Sequence, residues 1–347
     1  MVWISPSQYK IPIPVYIVIS MCVLFTLNTY KDMVSHHSVM FSENNSSLTF
    51  PLETCKCHRT INVTANIRTN FSSTTCSEDA YKRGSDQHVV SFSFYGDPAT
   101  PHHKSKQYFA GIQNNLDSLP QFYPGWTMRL YHDLTKEDPL LQDLCSLACS
   151  NNHLDLCYVR NLPGTPFQDA SRVFPMNWKF FPVIDEQVSV MLPRDLDSIV
   201  SEREAAAVSE WLQSNASFHI MRDHPDQGIP MLGSMWGWKE DGKGESRKRW
   251  KQAWREGLKD KLAWAGRGEW GPDQTFLRRY VWRWAKKDAI SHDSYHCKKF
   301  SNTKHFPTRR EEAPNNFVGS VATDNYTLRV ECPLKCRPEG RKDWLYC

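Results

Sequence analysis

The fold of this chain is decided by the stretch Val188-Ser189-Val190-Met191-Leu192-Pro193-Arg194-Asp195-Leu196-Asp197-Ser198. Its first residues are mostly β-branched or apolar, which predicts a buried strand. Two aspartates, one residue apart, follow this strand directly. If the backbone stays extended there, alternate side chains share a face, so Asp195 and Asp197 point the same way and can share one cation.

This carboxylate pair suits a hard divalent metal ion. Mn²⁺ and Mg²⁺ prefer oxygen ligands, keep several waters, and are commonly held by one or two carboxylates while substrate phosphates complete the shell. Arg194 adds a positive charge that could meet such a phosphate. An Asp-x-Asp triplet also arises by chance in a chain with 38 acidic residues. This one, however, follows a predicted central strand, where ligands of open α/β sheets bind.

Strands and helices alternate on the N-terminal side of the aspartates. Residues 89–96 form a predicted strand, and we expect Tyr95 and Gly96 at its end to contact a bound cofactor, because glycine lets the chain turn closely around a ligand. This order predicts an α/β protein with a mostly parallel central sheet flanked by helices. The further predicted elements are helices at 109–119 and 141–149 and strands at 126–131 and 154–159.

A helix and another strand are predicted on the C-terminal side. Ser201 and Glu204 have the spacing of a capping box, which opens an amphipathic helix with a structural role. The next predicted strand, at 218–222, is followed by Asp223, a candidate general base. The charged run 239–261 is typical of a solvated helix.

Three further residues are candidates for a functional site. Trp236 lies among interleaved glycines and tryptophans, a pattern that suits stacking on a sugar ring as well as packing in a core. Asp273 follows a proline in a predicted first helical turn, where aspartate is also favoured by capping alone. His292, in a polar and turn-like segment, could be a metal ligand or an ordinary hydrogen-bonding residue.

An apolar segment near the N-terminus predicts a membrane anchor. Residues 11–27 are apolar except for Ser20 and Thr26, and as a helix they would span roughly 25 Å, slightly short of the hydrocarbon core. A cleaved signal peptide is the alternative, but no small-x-small cleavage pattern follows Leu27. We therefore expect a single-pass type II protein of the Golgi or endoplasmic reticulum membrane, with its globular part in the lumen.

Cysteines and glycosylation sequons agree with an oxidising compartment. Eleven cysteines are present, and Cys22 falls in the apolar segment, which leaves an even ten that we expect to form disulfides. Four of the six Asn-x-Ser/Thr sequons crowd the region just after the anchor, as in a glycosylated stem. The sequons lie at Asn44, Asn45, Asn62, Asn70, Asn215 and Asn325.

These patterns divide the chain into five predicted segments. They are a cytosolic tail (1–10), an anchor (11–27), a luminal stem (28–87), a globular domain (88–305) and a cysteine-containing C-terminal cap (306–347). The stem could instead be a small disulfide module with a binding role of its own. The net charge of +4 is too small and too scattered to favour nucleic acid as a partner.

Several blocks of the chain resemble a known group of proteins. They fall between about residues 89 and 300 and are similar to largely uncharacterised animal proteins classed as glycosyltransferase-like. The resemblance implies the GT-A fold of nucleotide-sugar transferases, with the Asp-x-Asp motif at the end of a central strand. The blocks are 91–96, 122–133, 174–178, 194–198, 218–225 and 271–277.

The resemblance also implies roles for individual residues. Asp195 and Asp197 would bind Mn²⁺ or Mg²⁺ and, through it, the diphosphate of a nucleotide-sugar donor. His292 lies where several such enzymes place a third metal ligand, and Asp273 where some place a carboxylate facing the sugar or the acceptor. The sugar would pass to a glycan, protein or lipid, and Asp273 or Asp223 would take the acceptor proton if the enzyme inverts configuration.

Two other functions are compatible with the same residues. The chain could be a membrane-bound glycan-binding or adhesive glycoprotein that keeps a transferase fold without turnover, in which case Asp195 and Asp197 would be dispensable. It could also be a metal-dependent hydrolase, although a binuclear site would need more ligands than this sequence shows. The sequence favours the transferase over both.

Overall fold

The computed structural model describes residues 46–52, 55, 57–63, 74–95, 102–165, 168–259, 271–300 and 302–347. The predicted anchor at 11–27 and the candidate Gly96 lie outside the described residues. Within the described ranges, no helix is both long enough and apolar enough to cross a membrane.

A central eight-stranded sheet organises the described part of the chain. The described residues form ten strands, of which β3 to β10 belong to this sheet. The strands are β1 (Ser46–Leu52), β2 (Cys57–Val63), β3 (Gln87–Phe94), β4 (Thr127–His132), β5 (Leu154–Tyr158), β6 (Val188–Pro193), β7 (Phe218–Arg222), β8 (Trp236–Lys239), β9 (Ala289–Asp293) and β10 (Thr303–Lys304). β1 and β2 form a separate antiparallel pair. The sheet has the order β10-β9-β7-β8-β6-β3-β4-β5, and β8 alone runs antiparallel to its neighbours. The predicted mostly parallel sheet is therefore confirmed.

Helices cover both faces of this sheet. They are α1 (Glu78–Lys82), α2 (His102–Phe122), α3 (Pro139–Ser150), α4 (Glu202–Leu212), α5 (Glu245–Lys259), α6 (Pro272–Phe276) and α7 (Trp282–Ala285), with a 3₁₀ segment at Pro175–Ile184 and a π-helical turn at Leu277–Val281. Val90 and Leu192 share an apolar cluster with α2, α3 and α4, whereas Val89 and Met191 share another with the 3₁₀ segment and α5. Successive strand residues point to opposite faces, so β3 and β6 are covered on both sides and are buried along most of their length.

The charged run around α5 differs from the solvated helix that we predicted. Trp250 and Trp254 are buried, and their rings stack on Trp236 and Phe181 at centroid distances of 5.3 Å and 5.0 Å. Residues four apart lie on one face of a helix. One side of α5 is therefore part of the core, and its basic residues occupy the other side.

Five disulfides join the ten cysteines beyond Cys22, which confirms the predicted disulfide framework. The pairs are Cys55–Cys145, Cys57–Cys149, Cys76–Cys157, Cys297–Cys336 and Cys332–Cys347. The first three bond the segment predicted as a stem to α3 and β5. Arg59 from the same segment is buried and donates a 2.5 Å hydrogen bond to the carbonyl of Leu154. The folded unit thus includes residues before the predicted boundary at His88.

Candidate functional site

The candidate site lies at the carboxyl ends of β3 and β6. From β3 the chain continues to β4 and β5 on one side of that strand, and then crosses back to β6 on the other side. In open α/β sheets, ligands bind in the crevice that forms outside the strand ends where the strand order reverses in this way. Tyr95 follows β3 directly, and Asp195 and Asp197 follow β6.

Asp195 is the centre of a polar cluster at these strand ends. One of its carboxylate oxygens accepts a hydrogen bond from the ammonium of Lys179, and the other accepts one from the hydroxyl of Ser234. Burial opposes ionisation, but Lys179 and Ser234 outweigh it and hold the pKa of Asp195 below its ordinary value. The side chain is still 48% exposed. Asp195 is therefore a carboxylate that a ligand can reach.

Lys179 connects Asp195 to a second carboxyl group. Its side chain is only 2% exposed, and its ammonium lies 3.9 Å from a carboxylate oxygen of Asp273. Burial lowers the pKa of Lys179, but the two carboxylates outweigh burial and raise it. Burial raises the pKa of Asp273 above its ordinary value, against the effect of Lys179. Asp273 thus has the increased proton affinity that suits a general acid or base.

Asp197 adds negative charge to the cluster. Burial and the neighbouring charge of Asp195 raise its pKa. Asp324, from the C-terminal segment (306–347), raises it further. The backbone of the C-terminal segment contacts the turn that follows β6: the N–H of Ala322 donates a 2.8 Å hydrogen bond to the carbonyl of Asp197. Asp324 was not a candidate from the sequence, since it lies more than a hundred residues from the aspartate pair.

The donor set of this cluster fits a hard cation that completes its shell with water and phosphate. The candidate ligands are carboxylate oxygens, and burial together with the charge of Asp195 raises the pKa of Asp197. In the ranges that the structure describes, no group of three or more His, Cys, Asp or Glu side chains could hold a metal ion. Mg²⁺ and Mn²⁺ are commonly bound through one or two carboxylates together with substrate phosphates, so a larger protein cage is unnecessary.

Two glycines allow the close approaches in the site. A β-carbon at Gly111 on α2 would lie 1.9 Å from the carbonyl oxygen of Leu196, between the two aspartates. A β-carbon at Gly233 would lie 1.9 Å from a carboxylate oxygen of Asp273. Neither glycine stood out in the sequence, because its importance depends on a contact with a distant element.

Two tyrosines lie on the open side of the cluster. Tyr95 and Tyr108 are each 37% exposed, and the ring of Tyr95 has an edge contact with Trp178 at a centroid distance of 6.1 Å. Burial raises the pKa of both phenols, and the nearby aspartates raise it further. Both tyrosines are therefore neutral hydrogen-bond donors that also offer an aromatic face to a ligand. Tyr95 was expected here from the sequence, and Tyr108 was not.

Comparison with known proteins gives no family for this chain. No protein-family model matches the sequence, and a search of curated proteins returns no match. The function must therefore be argued from the residues and their geometry.

Arg194 and Trp236 face the interior rather than the site. The guanidinium of Arg194 pairs with Glu204 at 2.8 Å and donates hydrogen bonds to the carbonyls of Ser234 and Trp236. Trp236 is fully buried and stacks on Trp250. We correct the two predictions accordingly, because neither side chain is open to a phosphate or a sugar ring. Arg194 instead joins β6, β8 and α4, and Trp236 packs β8 against α5.

Asp223 is also outside the cluster. Its side chain is fully buried, and its two oxygens accept hydrogen bonds from Arg203, Arg310, Ser294 and the backbone N–H of Val318. Burial opposes ionisation, but the two arginines outweigh it and lower the pKa. Such a carboxylate is a poor proton acceptor with no open face, so Asp223 is not a candidate base.

His292 is not brought to the aspartate pair. It lies on β9, which β7 and β8 separate from β6. One ring nitrogen is 2.7 Å from His219 and the other is 3.3 Å from Glu210. With both nitrogens engaged in this way, His292 cannot complete a metal site at Asp195 and Asp197, and the predicted third ligand is corrected.

Replacing Gly111 by alanine is expected to destabilise the protein by about 1–3 kcal/mol, because the new methyl group overlaps the backbone at Leu196. Helix propensity would favour alanine by about 1 kcal/mol, so a net loss shows that the steric overlap dominates. Denaturant unfolding measures the difference, with Asp117→Ala on the exposed face of the same helix as the control. A stabilised Gly111→Ala protein would contradict the close approach of α2 to the aspartate loop.

Proposed function

We propose that this chain is a metal-dependent glycosyltransferase with a GT-A-type domain, which moves a sugar from a nucleotide-sugar donor to a glycan, protein or lipid acceptor. The supporting observation is the cluster of Asp195, Asp197, Lys179 and Asp273 at the point where the strand order of the sheet reverses. This position suits a nucleotide, and the paired carboxylates suit the cation that accompanies its diphosphate.

The three carboxylates of the cluster and the two tyrosines beside it each have a proposed task. Asp195 and Asp197 would hold Mn²⁺ or Mg²⁺, which when bound neutralises the diphosphate leaving group as a Lewis acid. Asp273, with its raised pKa, accepts the proton of the acceptor hydroxyl. Tyr95 and Tyr108 flank the opening and donate hydrogen bonds to the substrate.

The secretory pathway is the proposed location. Five disulfides are typical of an oxidising compartment, and the apolar segment 11–27 would serve as a type II signal anchor in the Golgi or endoplasmic reticulum membrane. The acceptor would then be a luminal glycan, protein or lipid.

Replacing Asp197 by asparagine is expected to weaken Mn²⁺-dependent nucleotide binding at least ~10-fold, because the substitution removes a charged ligand and keeps the shape. Stability should stay equal or rise slightly, since the substitution relieves repulsion between neighbouring carboxylates. The measurement is calorimetric titration of UDP and of GDP into the purified full-length chain, with and without Mn²⁺.

Glu245 is an exposed carboxylate on α5. Glu245→Gln is therefore the matched control for the loss of one charge, and it should leave nucleotide binding unchanged. Equal nucleotide affinity in the wild type and in Asp197→Asn, whether Mn²⁺ is present or absent, would reject the metal role. That result would favour the non-catalytic glycan-binding glycoprotein. Hydrolysis of a panel of nucleotide sugars in the presence of Mn²⁺ then identifies the donor.

A further inference from the structure

Lys179 is held in place by the strand that borders the site. Its backbone N–H donates a 3.1 Å hydrogen bond to the hydroxyl of Ser93, and its carbonyl accepts one from the hydroxyl of Ser91. Both serines belong to β3, which lies beside β6 in the sheet. The backbone of Lys179 is therefore fixed, and its ammonium is delivered to the carboxyl end of β6.

The ammonium of Lys179 engages the carboxylate that is proposed to bind the cation. One oxygen of Asp195 accepts from Lys179 and the other accepts from Ser234. A divalent cation and an ammonium cannot approach the same oxygen together, because like charges a few ångströms apart repel each other strongly inside a protein. A cation that binds the oxygen held by Lys179 must therefore displace the ammonium.

The displaced ammonium needs another partner. An ammonium has three N–H donors, and among the described residues Lys179 makes a side-chain hydrogen bond to Asp195 only. Asp273, at 3.9 Å, is close enough for attraction but too far for a hydrogen bond. A buried ammonium left without acceptors is costly. The oxygens of a diphosphate would supply the missing acceptors beside the cation.

We propose that Lys179 and a divalent cation are alternative partners of Asp195, so that the cation binds tightly only together with a nucleotide diphosphate. The inference rests on the proposed function and adds an order to it. Lys179 blocks Asp195 in the empty site, and the diphosphate releases the block by giving the ammonium a new partner. Such coupling is reciprocal, so the cation must strengthen nucleotide binding by the same factor.

The test is calorimetric titration of Mn²⁺ into the full-length chain, alone and with saturating UDP or GDP. In the wild type, the nucleotide should tighten Mn²⁺ binding at least ~10-fold. Lys179→Met should bind Mn²⁺ alone about 10-fold more tightly than the wild type, because the competing charge is gone. The nucleotide should then tighten Mn²⁺ binding by a correspondingly smaller factor. Lys179→Gln is the second neutral variant and should behave in the same way.

Two controls separate charge at this position from general effects. Lys179→Arg keeps the charge and should keep weak binding of Mn²⁺ alone. Lys251 lies on α5 and forms an exposed ion pair with Glu186. Lys251→Met breaks this pair and should leave Mn²⁺ binding unchanged, with and without nucleotide.

Mn²⁺ affinity that is unchanged or weaker in both neutral variants would overturn the inference and leave Lys179 a structural residue. So would a wild type that binds Mn²⁺ alone as tightly as with nucleotide. If neither nucleotide binds the wild type, the proposed function fails. The comparison of Mn²⁺ alone between wild type and neutral variants then still decides whether Lys179 competes for Asp195.

Discussion

Replacing Asp223 by alanine is expected to destabilise the protein by about 3–5 kcal/mol, which is the usual cost of removing one partner from a buried ion pair. Asp223 accepts hydrogen bonds of 2.7 Å from both Arg203 and Arg310. The hydroxyl of Ser294 and the backbone N–H of Val318 complete its shell at 2.6 Å and 3.0 Å. Without the carboxylate, two buried guanidinium groups would lose their counter-ion.

This carboxylate connects distant parts of the chain. Arg203 lies on α4 and Asp223 follows β7, whereas Arg310 and Val318 belong to the C-terminal segment. The loss should therefore also loosen the attachment of that segment, which carries Asp324 to the site. Guanidinium unfolding with the disulfides intact measures the change, and limited proteolysis shows whether the C-terminal segment is cleaved first.

The exposed ion pair of Glu245 and Lys248 provides the control. Its side chains are 58% and 71% exposed, so Glu245→Ala should cause no measurable loss of stability. The experiment also separates the two roles considered for Asp223. A stable Asp223→Ala protein that has lost sugar transfer would restore Asp223 as the general base and contradict the buried ion-pair network.

The sheet could be predicted because its strands follow local rules. The apolar run at β6 and the strands at β3, β4, β5 and β7 are short, rich in apolar and aromatic residues, and separated by helical patterns. β8 was missed because its residues, Trp236–Lys239, alternate tryptophan with glycine and resemble a loop. Its packing explains the pattern: a β-carbon at Gly237 would lie 2.6 Å from Leu192 and 3.0 Å from Trp211.

Within the site, the alternation of side chains explains one error. Asp195 and Asp197 were expected on one face of an extended chain, but Leu196 and Asp197 lie in a turn closed by a 3.2 Å hydrogen bond from the N–H of Ser198 to the carbonyl of Asp195. The same rule places Arg194 on the opposite face, where it pairs with Glu204. Its interior position could thus have been predicted from the sequence.

The remaining members of the cluster depend on strand order and on distant contacts. Lys179 stands in an aromatic segment that predicts packing and nothing more, and its partner Asp195 is on another element. His292 was expected beside the aspartates by position in the chain, but two strands lie between β9 and β6. Single-sequence patterns do not define which strands are neighbours, so these relations could not be predicted.

Acidification from pH 7.5 to pH 5 is expected to destabilise the protein strongly through buried histidines. Burial lowers the pKa of His132 to about 4. It likewise lowers the pKa of His292 to about 4 and that of His219 well below its ordinary value. In the unfolded chain each would titrate near ~6.5. The folded protein therefore keeps these rings neutral at a pH where the unfolded chain takes up protons.

The direction follows from proton linkage. Above about pH 6.5 both states are neutral, so these histidines add no pH dependence. As the pH falls below this value the unfolded state gains protons that the native state does not bind, and stability is lost until the pH reaches the native pKa. The slope is about 1.4 kcal/mol per pH unit for each histidine, or about 2 kcal/mol each at pH 5.

Guanidinium unfolding at pH 7.5, 6 and 5 measures the loss, and His132→Phe isolates one histidine. His132 is buried beside Tyr158 at a ring-centroid distance of 5.7 Å, and phenylalanine keeps that aromatic contact. The variant should lose about 2 kcal/mol less stability than the wild type between pH 7.5 and pH 5, whatever its stability at neutral pH.

Asp197 and Asp273 have raised pKa values, which act on stability in the opposite direction. Their effects cancel in this comparison because both proteins contain them. His58→Gln, on the exposed side of β2, is the control for replacing a histidine. Equal slopes for His132→Phe and the wild type would show that His132 is protonated in the folded protein, and would contradict its burial between the strands and helices.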